Sequence, residues 1–446
     1  MPGVPTSKSC DACLKSKRKC DRQPPACSRC ARLKIPCINA GVRRYRFFAI
    51  EGRRKDGATM LVVKPPSRVT LVAAPQGNAT TRLAGRLVTQ LGVSNVRYNI
   101  RMTYGPLLSD IPRRLGENAV LDAATVALVA TFDDLACGQM SQQRFRAYGE
   151  ALSELRQAVQ NPAMAHSPLT LCAILLIWIC QGWIGGDQSN AQGHGAGFLR
   201  LISRTSLRHS RDPFELTLLH TILASTIFEA AFDPDLELEP WVSDFMLAGG
   251  KKDDISVMSC LLQLSSFLKY DYEVLPQLRR YYHAMKQKCI TMRDLLGNMS
   301  HPGVSEQAQI VAASSVSAFG LTSGVALALN GIARAYDPDD PQLVDDSDRL
   351  HRDIVGLANR ARAWLPLAGG WIPIAPEFAW LANSDPVRQR EIEETWNRCW
   401  KEVSHSPFGV SSRFKQRFDQ LRASAAINYQ YGQDIEIYHT GMIAAT

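Results

Sequence analysis

The chain has 446 residues, 46% of them hydrophobic, and a formal net charge of +9. That length and composition bury a large core, which excludes a small metal-held module as the whole protein, and the longest uninterrupted apolar run, Leu171 to Cys180, stops at ten residues, short of the roughly 18 that a membrane span asks for. Charge is uneven: residues 1 to 55 carry 15 Lys and Arg against 3 Asp and Glu, whereas the rest holds 36 against 39, so the basic character is local.

The first predicted element is a metal site. Cys10, Cys13, Cys20, Cys27, Cys30 and Cys37 fall at C-x2-C-x6-C-x6-C-x2-C-x6-C, one half-pattern written twice. A C-x2-C pair puts two thiolates on one tetrahedral ion, and no histidine lies in the segment to supplement them. Structural zinc takes four ligands. Six thiolates therefore serve either two Zn2+ ions that share two cysteines, or one four-cysteine ion with two thiols to spare; the two identical halves favour the shared pair. Every ligand place would be filled by sulfur, so such zinc is structural and leaves no position for catalytic water.

Lys15, Lys17, Arg18 and Lys19 lie inside the first metal loop. Two dipositive ions on six thiolates leave the first 55 residues at about +10, enough for binding dominated by phosphate contacts and released counterions. The expected division of labour has Lys15, Lys17 and Arg18 approaching bases while Lys8, Arg22, Arg29, Arg32 and Lys34 meet phosphates. Arg43, Arg44, Arg46, Arg53, Arg54 and Lys55 continue the basic run and suit either the DNA backbone or a nuclear import signal.

At these residues the segment resembles the fungal zinc binuclear cluster family of transcription factors. The resemblance implies two short helices wrapped round two zinc ions, with Cys10 and Cys27 as the bridging ligands and Pro25 as the loop proline. It also implies that Lys17, at the end of the first helix, touches a CGG triplet in the major groove of double-stranded DNA. Lysine or arginine donating to guanine is the commonest specific contact there. Leu14 and Ser16 stand where that family usually has basic residues, and Arg18 where it is commonly aliphatic.

Residues 41–81 read as a basic linker punctuated by Gly52, Gly57, Pro65, Pro66, Pro75 and Gly77. Met60 to Val63 and Val69 to Ala73 flank the double proline and are expected to pair as a short hairpin. From residue 82 to 446 the pattern is helical. Helix starts are read at Ser167-Pro168, Asp212-Pro213 and Ser305, and breaks at Gly193, Gly250, Gly297 and Pro341. Tyr148, Leu152, Leu155 and Val159 are expected to form one buried helix face, and roughly a dozen helices are expected in all. This region also resembles, diffusely, the regulatory domain that follows the cluster in many fungal factors, at Tyr148 to Leu152, Leu169 to Ile179 and Gln192 to Ala196.

Gly193-His194-Gly195-Ala196-Gly197 has no strand before it, so it reads as a helix start or a close helix contact rather than a nucleotide loop. The histidines show no catalytic spacing, and the remaining six cysteines, Cys137, Cys172, Cys180, Cys260, Cys289 and Cys399, read as small core side chains. Leu83, Leu87 and Leu91 step by four and do not sustain a zipper. The N-terminal stretch before Cys10 lacks an apolar signal segment, which with reduced thiols points to the nucleus or cytosol.

The fold class expected is thus a small zinc-stabilised two-helix DNA-binding module, residues 1–40, followed by a linker and a large all-α regulatory domain. The function expected is nuclear, non-enzymatic transcription regulation of RNA polymerase II genes, through Lys15, Lys17, Arg18, Lys19, Arg22 and Arg29 at CGG-like half-sites. Partners expected are duplex DNA, the transcription machinery or co-regulators, a second copy through the helical domain, and an unspecified metabolite effector, with no membrane. The alternative is a zinc-dependent protein-interaction module with little DNA readout.

Overall fold

The computed structural model describes residues 9–38, 50–55, 58–63, 78–184, 194–233, 235–248, 254–298, 305–367, 374–400 and 414–427. The chain divides into two compact units, Met1–Gln76 and Gly77–Thr446.

The first unit holds α1 (Asp11–Lys15), α2 (Ser28–Arg32), β1 (Ile50–Lys55) and β2 (Ala58–Val63). Cys10 and Cys27 stand in extended conformation as the residues before α1 and α2. The two strands are antiparallel, with Ile50 opposite Val63 and Lys55 opposite Ala58. This corrects the hairpin expected from sequence: Met60 to Val63 pairs with the segment upstream of it, and Val69 to Ala73 lies outside the described residues. The physical cue was Asp56-Gly57, the dipeptide between the paired strands, which favours a two-residue hairpin turn over a connection through a double proline.

The second unit has sixteen α-helices and no strand among the described residues. They are α3 (Ala79–Leu91), α4 (Arg101–Asp110), α5 (Ala119–Cys137), α6 (Gln142–Gln160), α7 (Pro162–Ala165), α8 (Pro168–Ile184), α9 (His194–Ile202) and α10 (Pro213–Phe232). There follow α11 (Pro240–Leu247), α12 (Val257–Phe267), α13 (Leu275–Asn298), α14 (Glu306–Tyr336), α15 (Pro341–Ala361), α16 (Ile374–Ala382), α17 (Pro386–Trp400) and α18 (residues 414–427). The number exceeds the dozen expected because prolines that fit only the first helical turn open short extra helices such as α7 and α11.

Two helices organise this unit. α5 packs against α6 and α8, and α14, 31 residues long, lies among α13, α15 and α16. α10 and α14 are by length and composition apolar enough to cross a bilayer, but both are mostly buried inside the unit, as core helices are. α14 carries a polar contact into the core. Asn330 donates to Leu343 O (2.9 Å) and Tyr282 Oη (3.1 Å), and Tyr282 donates to Asp346 Oδ2 (2.8 Å), which also pairs with Lys286.

Gly324 and Gly331, on the same face of α14, allow α16 to approach closely, since a Cβ on either would stand 3.0 Å from Ala375 Cα or Ala382 Cβ. Phe232, Phe378, Phe414 and Phe418 then join α10, α16 and α18, with ring centroids 4.7 Å (Phe232 to Phe378) and 5.7 Å (Phe232 to Phe414) apart.

Several sequence expectations shift. On α6 the buried residues are Arg144, Ala147, Ala151 and Ala158, while Leu152 and Val159 are exposed. Small alanines let α6 lie close to α5, and the larger residues are displaced to the rim of the contact. Gly297 falls inside the last turn of α13 rather than ending it. Cys137 is exposed, whereas the other five cysteines of the unit are buried; burial pushes Cys172, Cys180, Cys260 and Cys289 up to about 12. Leu87 and Leu91 are buried within the unit, where α3 packs on α5. The glycine-rich segment opens α9 as a close contact: Gly195 N–H donates to Glu229 Oε2 at 2.7 Å, so a carboxylate occupies the place that a phosphate would need.

Candidate metal centre and nucleic-acid interface

The six cysteines come together. Cys10, Cys13, Cys20 and Cys27 form one group and Cys10, Cys27, Cys30 and Cys37 a second, with the sulfurs of each group within 4.8 Å of one another. All six are free of disulfides. Sulfurs on one tetrahedral zinc at 2.3 Å stand about 3.8 Å apart. Here Cys10 to Cys27 is 3.8 Å, Cys10 to Cys30 is 3.6 Å and Cys13 to Cys27 is 3.7 Å. The two groups overlap in Cys10 and Cys27, so six thiols supply two complete sets of four, and the donor set fits two zinc ions.

The halves repeat in backbone detail. Cys10 N–H donates to Cys20 Sγ (3.5 Å) and Cys27 N–H to Cys37 Sγ (3.3 Å). After α1, Lys17 N–H bonds Leu14 O and Arg18 N–H bonds Cys13 O; after α2, Lys34 N–H bonds Ala31 O and Ile35 N–H bonds Cys30 O. This pair of bonds is a Schellman closure, and it places Lys17 and Lys34 in the left-handed region, both at φ 52°. One of the two acceptors in each closure is the carbonyl of the second cysteine of the C-x2-C pair, Cys13 or Cys30, which ties the end of each helix to a member of the cysteine cluster.

The shared sulfurs differ electrostatically from their neighbours. The Cys13 backbone N–H, at the start of α1, brings the Cys10 thiol down to about 6, and the Cys30 N–H lowers Cys27 in the same way. Burial instead pushes Cys13 up to about 12 and raises Cys30. The two positions nearest a helix start are thus the readiest thiolates, and a sulfur that serves two cations has to be one.

Residues 8–46 match the family model for the fungal Zn(2)-Cys(6) binuclear cluster domain. The chain carries that domain. It binds two zinc ions through its six cysteines. Domains of this family belong to DNA-binding transcription regulators, are not enzymes, and are typically nuclear. No curated protein and no solved structure matches the chain.

Around the cluster, Lys15, Lys17, Arg18, Lys19 and Arg22 are exposed, as are Arg32 and Lys34. Lys15 ends α1, Lys17 sits in the turn, and Arg18 and Lys19 lead to Cys20. Arg22 is likewise left-handed, at φ 62°. Arg29 is placed differently: half-buried, its Nη1 lies 4.0 Å from Cys13 Sγ. Lys8, Arg43, Arg44 and Arg46 lie outside the described residues.

One contributor escaped the sequence reading. Asp21 accepts the Ser28 N–H with both carboxylate oxygens at 3.1 Å, fixing the loop between the halves to the first residue of α2. Ser28, by its side chain first and its backbone N–H as well, holds that carboxyl below its ordinary value. A separation of seven residues follows no capping rule, so nothing in the spacing announced it.

Proposed function

We propose that the cluster domain recognises double-stranded DNA by entering the major groove with the end of α1. Lys15, Lys17 and Arg18 meet base edges of a CGG-like half-site, Lys19 helps to hold the groove, and Arg22, Arg32 and Lys34 meet phosphates. Lys8 belongs with the phosphate contacts, and Arg29, whose Nη1 lies 4.0 Å from Cys13 Sγ, turns its remaining guanidinium donors to phosphate. The observation that carries this reading is the exposed cationic turn from Lys15 to Lys19, whose backbone is closed by Arg18 N–H onto the carbonyl of Cys13, a residue of the cysteine cluster.

On this reading the chain is a regulator of RNA polymerase II genes in the nucleus. Residues 1–40 are its DNA-binding domain, 41–81 its linker and 82–446 a helical regulatory domain that dimerises, meets co-regulators or answers to a metabolite. Selection of bound sites from random duplexes with full-length protein tests base preference and half-site spacing together. Lys17→Ala should flatten the preference among sequences, whereas Arg22→Ala should weaken all of them alike and reduce the salt slope by about 1.

A protein-interaction module is the second reading, favoured by Leu14, Leu33, Ile35 and Ile38, which are 38% to 56% exposed around the cluster. It predicts binding to duplex DNA that is weak and nearly independent of salt.

A further inference from the structure

We propose that a cavity in the helical unit binds a small organic anion, a dicarboxylate or a phosphorylated acid. The cavity, about 460 Å³, collects four arginines from distant parts of the chain, Arg97, Arg144, Arg362 and Arg398, against one carboxylate, Asp134. They come from the turn before α4, the start of α6, the turn after α15 and the end of α17. Three of the four are exposed and screened by solvent, but all add to one positive field around the buried Arg144.

Arg144 makes the case specific. It is only 2% exposed, and its Nε and Nη2 have no hydrogen-bond partner. Asp134 forms an ion pair with it but does not fill its donors: Oδ2 lies 3.6 Å from Nε, beyond hydrogen-bond distance, and already accepts the Ser141 N–H at 2.6 Å. The guanidinium is held from one side by the Phe145 ring, 4.9 Å from its centroid. A buried cation with unfilled donors is costly, and a carboxylate or phosphate accepting its planar fork removes that cost.

The other arginines are less committed. Arg97 Nε donates to Leu365 O at 2.7 Å and Arg398 Nη2 to Thr395 Oγ1 at 3.2 Å, leaving further donors on each, and both are exposed, as is Arg362. Trp183, Met140 and Leu365 supply apolar wall. A bare inorganic ion would leave that wall unused, so the ligand that fits carries a short carbon skeleton between or beside its acidic groups.

The test uses full-length, zinc-loaded protein with glutarate, 3-phosphoglycerate and inorganic phosphate at matched ionic strength, read by tryptophan emission and by melting temperature. Glutarate or 3-phosphoglycerate should bind saturably at one site and raise the melting temperature, because a ligand that binds only the folded state stabilises it by mass action. Arg362→Ala and Arg398→Ala, both at exposed positions, should each weaken binding about tenfold or more, and Arg144→Lys should weaken it without unfolding the chain. The proposal is overturned if neither organic anion exceeds matched chloride, if binding is indifferent to the three arginine variants, or if inorganic phosphate binds as tightly as either.

Discussion

Lys17 and Lys34 occupy the same place in the two halves of the cluster, the left-handed residue of a Schellman closure at φ 52°, in halves whose shared cysteines, Cys10 and Cys27, are themselves 17 positions apart. Glycine is the usual occupant of that conformation, and a residue with a Cβ accepts strain of about 1 kcal/mol to stand there. A lysine held in a position that favours glycine suggests that its side chain is used.

Replacing each lysine by glycine separates backbone from charge. Lys17→Gly and Lys34→Gly should both keep the zinc-loaded fold, with stability unchanged or higher by up to about 1 kcal/mol. On the proposed DNA reading, only Lys17→Gly should erase preference among duplex sequences. Thermal melts paired with competition binding to scrambled sites check both; equal loss of preference from the two variants would contradict the assignment of Lys17.

Metal stoichiometry should distinguish shared from unshared ligands. Cys27→Ala removes a sulfur from both groups of four, whereas Cys20→Ala removes one from a single group. Native mass spectrometry should find Cys27→Ala largely free of zinc and Cys20→Ala retaining up to one ion. Two ions on Cys27→Ala would rule out sharing through that residue.

Acid should release zinc as thiolates protonate, and Asp21 sets part of the threshold. Its folded carboxyl lies below its ordinary value because Ser28 donates to it. It therefore contributes stability that is full above the ordinary aspartate range and lost as pH falls through the lowered value. Asp21→Asn forfeits this contribution at neutral pH, so zinc release, followed with a chromogenic chelator during acidification, should move to higher pH. An unchanged release profile would mean that the Ser28 contact adds nothing.

Three glycines in the helical unit should respond to alanine in opposite directions. Gly324→Ala and Gly331→Ala press a methyl against Ala375 and Ala382 across the α14–α16 contact and should destabilise the unit by about 1–3 kcal/mol. Gly356, exposed on α15 with open space beside it, should gain about 0.5–1 kcal/mol on the same change. Urea denaturation of the full-length variants measures all three.

The metal centre was the most legible part of the chain, because tetrahedral thiolate coordination has a spacing rule that survives without any knowledge of tertiary contacts. The sharing at Cys10 and Cys27 came with the family resemblance, and the two overlapping groups of sulfurs are compatible with it. Helix starts at Pro168, Pro213 and Glu306 were equally legible, since a capping residue followed by proline or an acid acts locally. The buried face of α6 was not: periodicity marks which residues can be buried, but the choice between Leu152 and Ala151 depended on how near α5 comes. Asp21 and Arg144 were illegible for a related reason, each having its meaning only through a partner or a cavity that the folded chain brings to it.

Sequence alone determined that two zinc-binding halves precede a helical body and that positive charge is concentrated with the sulfur, because ligand number, ligand spacing and helix capping are short-range constraints. Tertiary structure decided which lysines the metal-held turns display, which strand the linker hairpin uses, and that four arginines far apart in the chain face one cavity. Those outcomes depend on packing between distant segments, where burial and close approach outweigh the preferences of any one residue.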